Sequence, residues 1–252
     1  MTPAPRPVTW VIHERRMVTS TMDVAAALAA AGAPEGTVVV AERQTAGRGR
    51  SGRTWQDVGV ALQATIVLRP GIPARLLTVA PLLFGVAAAE AVETRCPATR
   101  IWLKWPNDLW VGERNDGRKL GGILVEMKAN GAMLAGFGIN IDLPAGAHPP
   151  GAACLATVGC PVAARDLLDA LLARIAIHWQ ALIGGEGRVP LDGWRSRAAL
   201  FGEWVAIIDH DGVPRSGRFI GIREDGALLL ANDAGGIHPV VAGDLARGPR
   251  PT

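Results

Sequence analysis

Ile101-Trp102-Leu103-Lys104-Trp105-Pro106-Asn107-Asp108-Leu109-Trp110-Val111 is the stretch on which the fold turns. Ile101 to Trp105 alternates and reads as a strand. On such a strand Lys104 lies on the face opposite Leu103 and Trp105. Pro106-Asn107-Asp108 is turn chemistry, and Leu109 to Val111 starts a short return strand. Glu113 to Gly117 makes a second turn. Lys119 to Met127 and Met133 to Ile141 follow as a strand pair joined by Asn130-Gly131, a hairpin signal.

Working upstream, Ser20-Thr21-Met22-Asp23 caps the alanine-rich run Val24 to Ala31, and Gly32 ends it, which predicts a helix. Thr37 to Ala41 and Val60 to Leu68 read as strands, with Gln44 to Trp55 a loop between them. Pro73 to Arg95 reads as a buried helix. Downstream, Arg165 to Leu182 is a long amphipathic helix, and its Leu167-Leu168-Leu171-Leu172-Ile175 stripe is core. Leu191 to Leu200 is a shorter helix. After Phe201-Gly202 short strands follow closely: Trp204 to Ile208, Arg218 to Ile222, Ala227 to Leu230 and His238 to Val241. They predict a small all-β module, a barrel in shape, with the boundary near Leu200.

The chain has 252 residues, 49% of them hydrophobic, enough for a sizeable core. Net charge is only +3, too small an excess to mark a nucleic-acid binder. The N-terminus shows no apolar signal core. The longest apolar stretch, from Leu76 to Ala89, is about 14 residues and too short to span a bilayer. Cys96, Cys154 and Cys160 are odd in number and form no CxxC pair, so a disulfide framework is not expected and a reducing, cytoplasmic setting is. His13, His148, His178, His210 and His238 are scattered without metal-ligand spacing. Trp179 and Trp194 read as packing residues.

Two segments carry chemistry. Gln44-Thr45-Ala46-Gly47-Arg48-Gly49-Arg50-Ser51-Gly52-Arg53-Thr54-Trp55 interleaves glycines, which allow close backbone approach, with arginine forks for carboxylate or phosphate oxygens. It is not a P-loop, because GxxxxGK[ST] is absent. A solvated basic turn or an RNA-binding RG segment would have the same composition. Its place between two strands argues against the second. Lys104, flanked by two tryptophans at a strand end, is either a cation aimed at a bound anion or an edge-strand lysine. Asp108 in the next turn is a candidate Mg²⁺ ligand.

Taken together, these segments resemble the biotin–protein ligases. The resemblance runs through Ser20-Thr21, Gln44 to Trp55, Lys104 to Leu109, Lys119-Leu120-Gly121-Gly122-Ile123-Leu124-Val125-Glu126 and Gly136-Phe137-Gly138-Ile139-Asn140. It reaches Gly226 to Leu230 and Gly243-Asp244-Leu245, so it covers nearly the whole chain. It implies an α+β fold, a mixed sheet with helices on one side, followed by an SH3-like barrel. Residues 1–200 would be the biotin- and ATP-binding catalytic domain and 201–252 the C-terminal domain. Ser20, Thr21 and Gln44 would bind biotin. Arg48, Gly49, Arg50 and Lys104 would line its carboxylate and the α-phosphate, with Arg48, Arg50 and Lys104 catalytic. Gly121 and Gly122 would let a strand lie close beneath the biotin ring. Arg50, Arg53, Trp55, Asn107 and Asn140 would serve ATP, with Mg²⁺ at Asp108. Met22 departs from the family's usual Asn, Ser51 from a frequent Arg, and Gly121 from a common Ala.

The implied reaction is attack of the biotin carboxylate on the α-phosphate of ATP, giving biotinyl-5′-AMP, and transfer to a lysine of a biotin carboxyl carrier protein. Monomers and homodimers both fit. The short stretch before Ser20 leaves no room for a helix-turn-helix, so no DNA binding is expected. A lipoate or octanoate ligase is the first rival, and it would lack this arginine loop. A non-catalytic RNA- or protein-binding module is the second, and it leaves Lys104 and Gln44 unexplained.

Overall fold

The computed structural model describes residues 8–71, 77–144, 146, 149–184, 191–208 and 214–248. A seven-stranded mixed sheet forms its centre, in the order β1-β2-β3-β7-β6-β5-β4. The strands are β1 (Val11–Val18), β2 (Thr37–Gln44), β3 (Val60–Leu68), β4 (Ile101–Lys104), β5 (Asp108–Val111), β6 (Arg118–Met127) and β7 (Met133–Asp142). β1 runs parallel to β2 and the remaining pairs are antiparallel. β1 carries mostly exposed residues, among them Glu14, Arg15 and Arg16. It lies at the sheet edge and has no apolar alternation to announce it.

Side chains alternate across β3 and separate two cores. Leu62, Ala64, Ile66 and Leu68 join the main core with α2 (Ala80–Arg95) and α3 (Ala164–Gly184). Val67 points the other way and packs with α1 (Thr21–Ala30) through Met22, Ala25 and Ala29. Helices therefore flank both faces of the sheet, not one. The α1 face is only partly covered, and Gln63 and Thr65 of β3 stand on it, buried. Pro81 stands in the first turn of α2, where a missing N–H costs nothing. Residues 73–76 of the helix expected over Pro73 to Arg95 lie outside the described residues, as do His148 and His210. α3 is long and apolar enough to cross a membrane by length and composition. Its buried residues instead form the stripe Leu167, Leu168, Leu171, Leu172, Ile175, Trp179 and Leu182, packed against α2.

Of the helix expected over Leu191 to Leu200, only α4 (Asp192–Arg195) forms. The chain beyond it is drawn into the sheet: Leu103 N–H donates to Arg197 O and Ala199 N–H to Leu103 O, closing the edge of β4. The second sheet is antiparallel, in the order β11-β10-β9-β8-β12, from β8 (Trp204–Ile208), β9 (Pro214–Ile222), β10 (Leu228–Ala231), β11 (Ile237–Val240) and β12 (Asp244–Arg247). β12 was not legible as a strand. The ladders among the described residues make a five-stranded sheet, and none joins β11 to β12 to close the expected barrel. Trp105 Nε1 donates to Gly226 O at 3.0 Å, and Trp194 meets Phe219 at 6.4 Å between ring centroids, so the two sheets share packing.

The expectation about cysteine is corrected. Cys96, at the end of α2, and Cys160, just before α3, have Cα atoms 5.7 Å apart and are bridged, while Cys154 is free and buried. A tertiary contact across a separation of 64 residues makes the pair, which no local spacing could signal. Closing a loop of that length is worth about 4 kcal/mol. Thiol titration in denaturant should thus find one thiol before reduction and three after, with a lower melting temperature for the reduced protein. Three thiols without reductant would show the bridge does not form.

Candidate active site between the glycine floor and the arginine loop

Three glycines leave a patch of the α1 face bare. Gly136 and Gly138 alternate on β7, and Gly122 of β6 stands opposite Gly138. They floor a cavity of about 150 Å³. Neighbouring side chains use the freed space. A Cβ on Gly138 would lie 2.9 Å from the Trp55 ring, and one on Gly136 would lie 2.8 Å from Met22 Sδ. Residues 44–55 fold back over this floor. Arg48 bridges to Thr54, Gly49 N–H donates to Arg53 O at 2.8 Å, and Trp55 N–H donates to Gly47 O at 2.9 Å. Ser51 sits at the tip with φ 54°, a left-handed conformation that costs a non-glycine residue. The indole N–H of Trp55 is buried without an acceptor among the described residues, an arrangement that costs about 1–3 kcal/mol unless a ligand supplies one.

One end of the cavity is neutral and polar. Ser20 caps α1, and its Oγ accepts from Met22 N–H at 3.2 Å, leaving its own O–H to donate. Gln44 Oε1 accepts from Thr21 N–H at 2.7 Å and from Thr21 Oγ1 at 3.1 Å. Thr65 Oγ1 donates to Thr21 Oγ1 at 2.9 Å. Gln44 Nε2 donates to Gln63, which leaves the second Nε2 hydrogen uncommitted. The open groups here are thus donors, suited to a carbonyl-type oxygen.

The other end is cationic. Arg48, Arg50, Arg53, Lys104 and Lys119 line it, against the carboxylates Asp108 and Asp244. Arg48 is held by Asp23 at 3.0 Å and by Glu126. Arg50 donates to Asn107 Oδ1 at 3.1 Å and to Gly243 O at 3.3 Å. Arg53 pairs with Asp244, so both arginines tie the loop to the start of β12. Burial pulls the Arg50 guanidinium below its ordinary pKa, opposed by Asp244 and Asp108. Lys104 Nζ sits 5.1 Å from the centroid of Trp110. Burial likewise lowers the Lys104 pKa from 10.5, with Asp108 opposing and Lys119 adding to the shift. A cation held at this cost is relieved when an anion arrives.

Ser20, Thr21, Gln44, Arg48, Gly49, Arg50, Arg53, Trp55, Lys104, Asn107, Asp108 and Gly122 all meet at this cavity. Gly121 and Asn140 do not line it. Gly121 lies against the β7 backbone, where a Cβ would come 2.3 Å from Gly138 O. Asn140 Nδ2 donates to Ala153 O at 2.9 Å and holds the segment before Ala156. Sequence reading missed Lys119, Asp57, Gln63 and Thr65. The last two were visible as polar residues two apart in an otherwise apolar strand.

The model of the biotin/lipoate A/B protein ligase family matches residues 15–143. The chain belongs to this family. A biotin–[acetyl-CoA-carboxylase] ligase of Paracoccus denitrificans is 40% identical over 212 residues, 78% of this chain and 85% of that protein. The bifunctional ligase/repressor BirA of Bacillus subtilis is 31% identical across 92% of this chain and 72% of its own length. A biotin protein ligase from Aquifex aeolicus, solved in complex with biotin and ATP, superposes with a TM-score of 0.79 at 26% identity, covering 93% of this chain and 97% of that one.

At Asp108, where Mg²⁺ is expected, the carboxylate already has a cation partner. Asp108 Oδ1 is 2.7 Å from Lys119 Nζ. Among the described residues no three His, Cys, Asp or Glu gather to hold a metal ion. A divalent ion that enters on ATP is part of the substrate.

Lys104 makes a pH prediction. Because its pKa is lowered in the free protein and a bound anion raises it again, binding takes up a proton in the alkaline window between the two values. Affinity for an anionic ligand should therefore fall as pH rises, starting below the range of an ordinary lysine. Calorimetry in buffers of different ionisation enthalpy reads this uptake, and Lys104→Met should abolish it. Proton uptake unchanged in that variant would assign it elsewhere.

Proposed function

We propose that the chain is an ATP-dependent biotin–protein ligase. The carrying observation is one cavity that joins a neutral, donor-lined end at Ser20, Thr21 and Gln44 to a cationic end at Arg48, Arg50, Lys104 and Lys119. Biotin has those two ends, a cyclic urea and a carboxylate. The bare floor of Gly122, Gly136 and Gly138, walled by Met22, Leu124 and Trp55, suits the apolar thioether ring and alkyl chain between them.

The first step sets a carboxylate against a triphosphate. At roughly 4 Å and an effective dielectric near 20, each pair of unit charges repels by about 4 kcal/mol. The converging cations remove that barrier by position and charge alone. A carboxylate oxygen bonds to the α-phosphorus, the bond to the bridging oxygen breaks, and pyrophosphate leaves with the electron pair. In the second step the carrier lysine amine attacks the acyl carbon of biotinyl-5′-AMP, and AMP leaves. The loop at 45–55 shields the anhydride from water between the steps. Asp23, Glu126 and Asp244 occupy its arginines before ligand arrives. Residues 1–200 would carry the chemistry, with 201–252 contributing Gly243 and Asp244 as anchors of the loop. The acceptor would be a biotin carboxyl carrier domain of a carboxylase.

Pyrophosphate release with Mg-ATP should depend on biotin and fail with lipoate and octanoate. Lys104→Ala should slow it about 10²–10³-fold. Folded protein that releases none with biotin would sink the reading and advance a binding module. Trypsin cleavage at Arg48, Arg50 and Arg53 should be slowed by biotin with ATP. Equal cleavage with and without them would show that the loop does not close on ligand.

A further inference from the structure

Behind Gln44 lies a closed polar circuit that the ligase reading does not use. We propose that Asp57 and Gln63 are positioning residues that fix the Gln44 amide, and with it the affinity of the cavity's neutral end for biotin. The inference rests on the ligase reading above.

The circuit can be followed atom by atom. Gln44 Oε1 takes both donors of Thr21, and Gln44 Nε2 donates to Gln63 Oε1. Gln63 is itself oriented. Its Nε2 donates to Asp57 Oδ1 at 2.8 Å and to Glu42 O at 3.3 Å. Asp57 is anchored in turn, because Oδ2 accepts from the Gln44 backbone N–H at 2.8 Å and from Arg43 Nε at 2.7 Å. The path leaves Gln44 through its side chain and returns through its backbone. Gln63 is 1% exposed and the Asp57 side chain 8%, so water cannot readily replace these bonds.

A side-chain amide has two orientations that differ only by exchanging O and N. Flipping Gln44 would set its NH₂ against Thr21 N–H and its oxygen against Gln63 Oε1, two repulsive contacts in place of three hydrogen bonds. Flipping Gln63 would set its oxygen against Asp57 and the carbonyl of Glu42. The charge on Asp57 therefore orients Gln63, which orients Gln44. One Nε2 hydrogen of Gln44 is left as a donor at the cavity. Truncating either outer residue frees Gln44 to rotate without touching the ligand.

The test is Gln63→Glu followed over pH. The introduced carboxyl group, when protonated, can accept from Gln44 and donate to Asp57, as the native amide does. When ionised it faces the Asp57 carboxylate and cannot donate. Burial and Asp57 both raise its pKa above the usual carboxyl range. The variant's KM for biotin should approach wild type at the acid end and rise at least tenfold as pH increases, with the KM for ATP unmoved. Gln63→Leu and Asp57→Ala should raise the biotin KM at every pH, and Gln63→Leu should add little in a Gln44→Met background. A biotin KM of Gln63→Glu that is flat with pH, or equal rises in both KM values, would overturn the positioning role. Thermal unfolding of the ligand-free Gln44→Met, Gln63→Leu cycle reads the coupling without any substrate. Additive shifts there would also overturn it. Wild-type protein that fails to use biotin while that cycle is non-additive would instead defeat the ligase reading alone.

Discussion

A ligand can lie directly against the backbone of a β-sheet only where the sheet gives up its side chains. Gly122, Gly136 and Gly138 do this on one patch of the α1 face, and the rest of the site is built on that bareness. Because Gly138 has no Cβ, the Trp55 ring comes down onto the strand. Because Gly136 has none, Met22 of α1 reaches in beside it. The walls of the cavity are thus set by what the floor omits. The opposite face of the same strands keeps its apolar residues, Phe137 and Ile139 among them, and carries the main core.

The second constraint is electrostatic. Five cations crowd one end of a partly buried cavity with two carboxylates among them, an arrangement that costs solvation. The structure limits that cost by giving the loop's arginines carboxylate partners: Asp23 and Glu126 for Arg48, Asp244 for Arg50 and Arg53. Anionic substrates would exchange one set of oxygens for another, so docking of the loop and binding of ligand draw on the same groups. Lys104 has no such direct partner among the described residues. Burial depresses its pKa, so an arriving anion would offset what desolvation costs it.

Much of this was legible in the chain. The strand carrying Lys104, the hairpin at Asn130-Gly131, the glycine-arginine loop and the Ser20 cap are local signals, each resting on turn chemistry or periodicity within a few residues. What escaped reading is non-local or unpatterned. β1 is an exposed edge strand that among the described residues pairs only with β2. β12 is four residues without alternation. The chain after α4 abandons helix because Leu103 offers it unpaired backbone groups.

The sequence alone determined the chemical inventory: which cations, which donors, which glycines, and their order along the chain. Tertiary structure decided who meets whom. It paired Cys96 with Cys160 across 64 residues, put Asp244 of the second sheet onto the arginine loop, and set Lys119 beside Asp108. It also turned two unremarked polar residues, Asp57 and Gln63, into the support of Gln44. The physical reason is the same in each case. A hydrogen bond or ion pair acts over about 3 Å, and only folding brings residues so far apart in sequence within that distance.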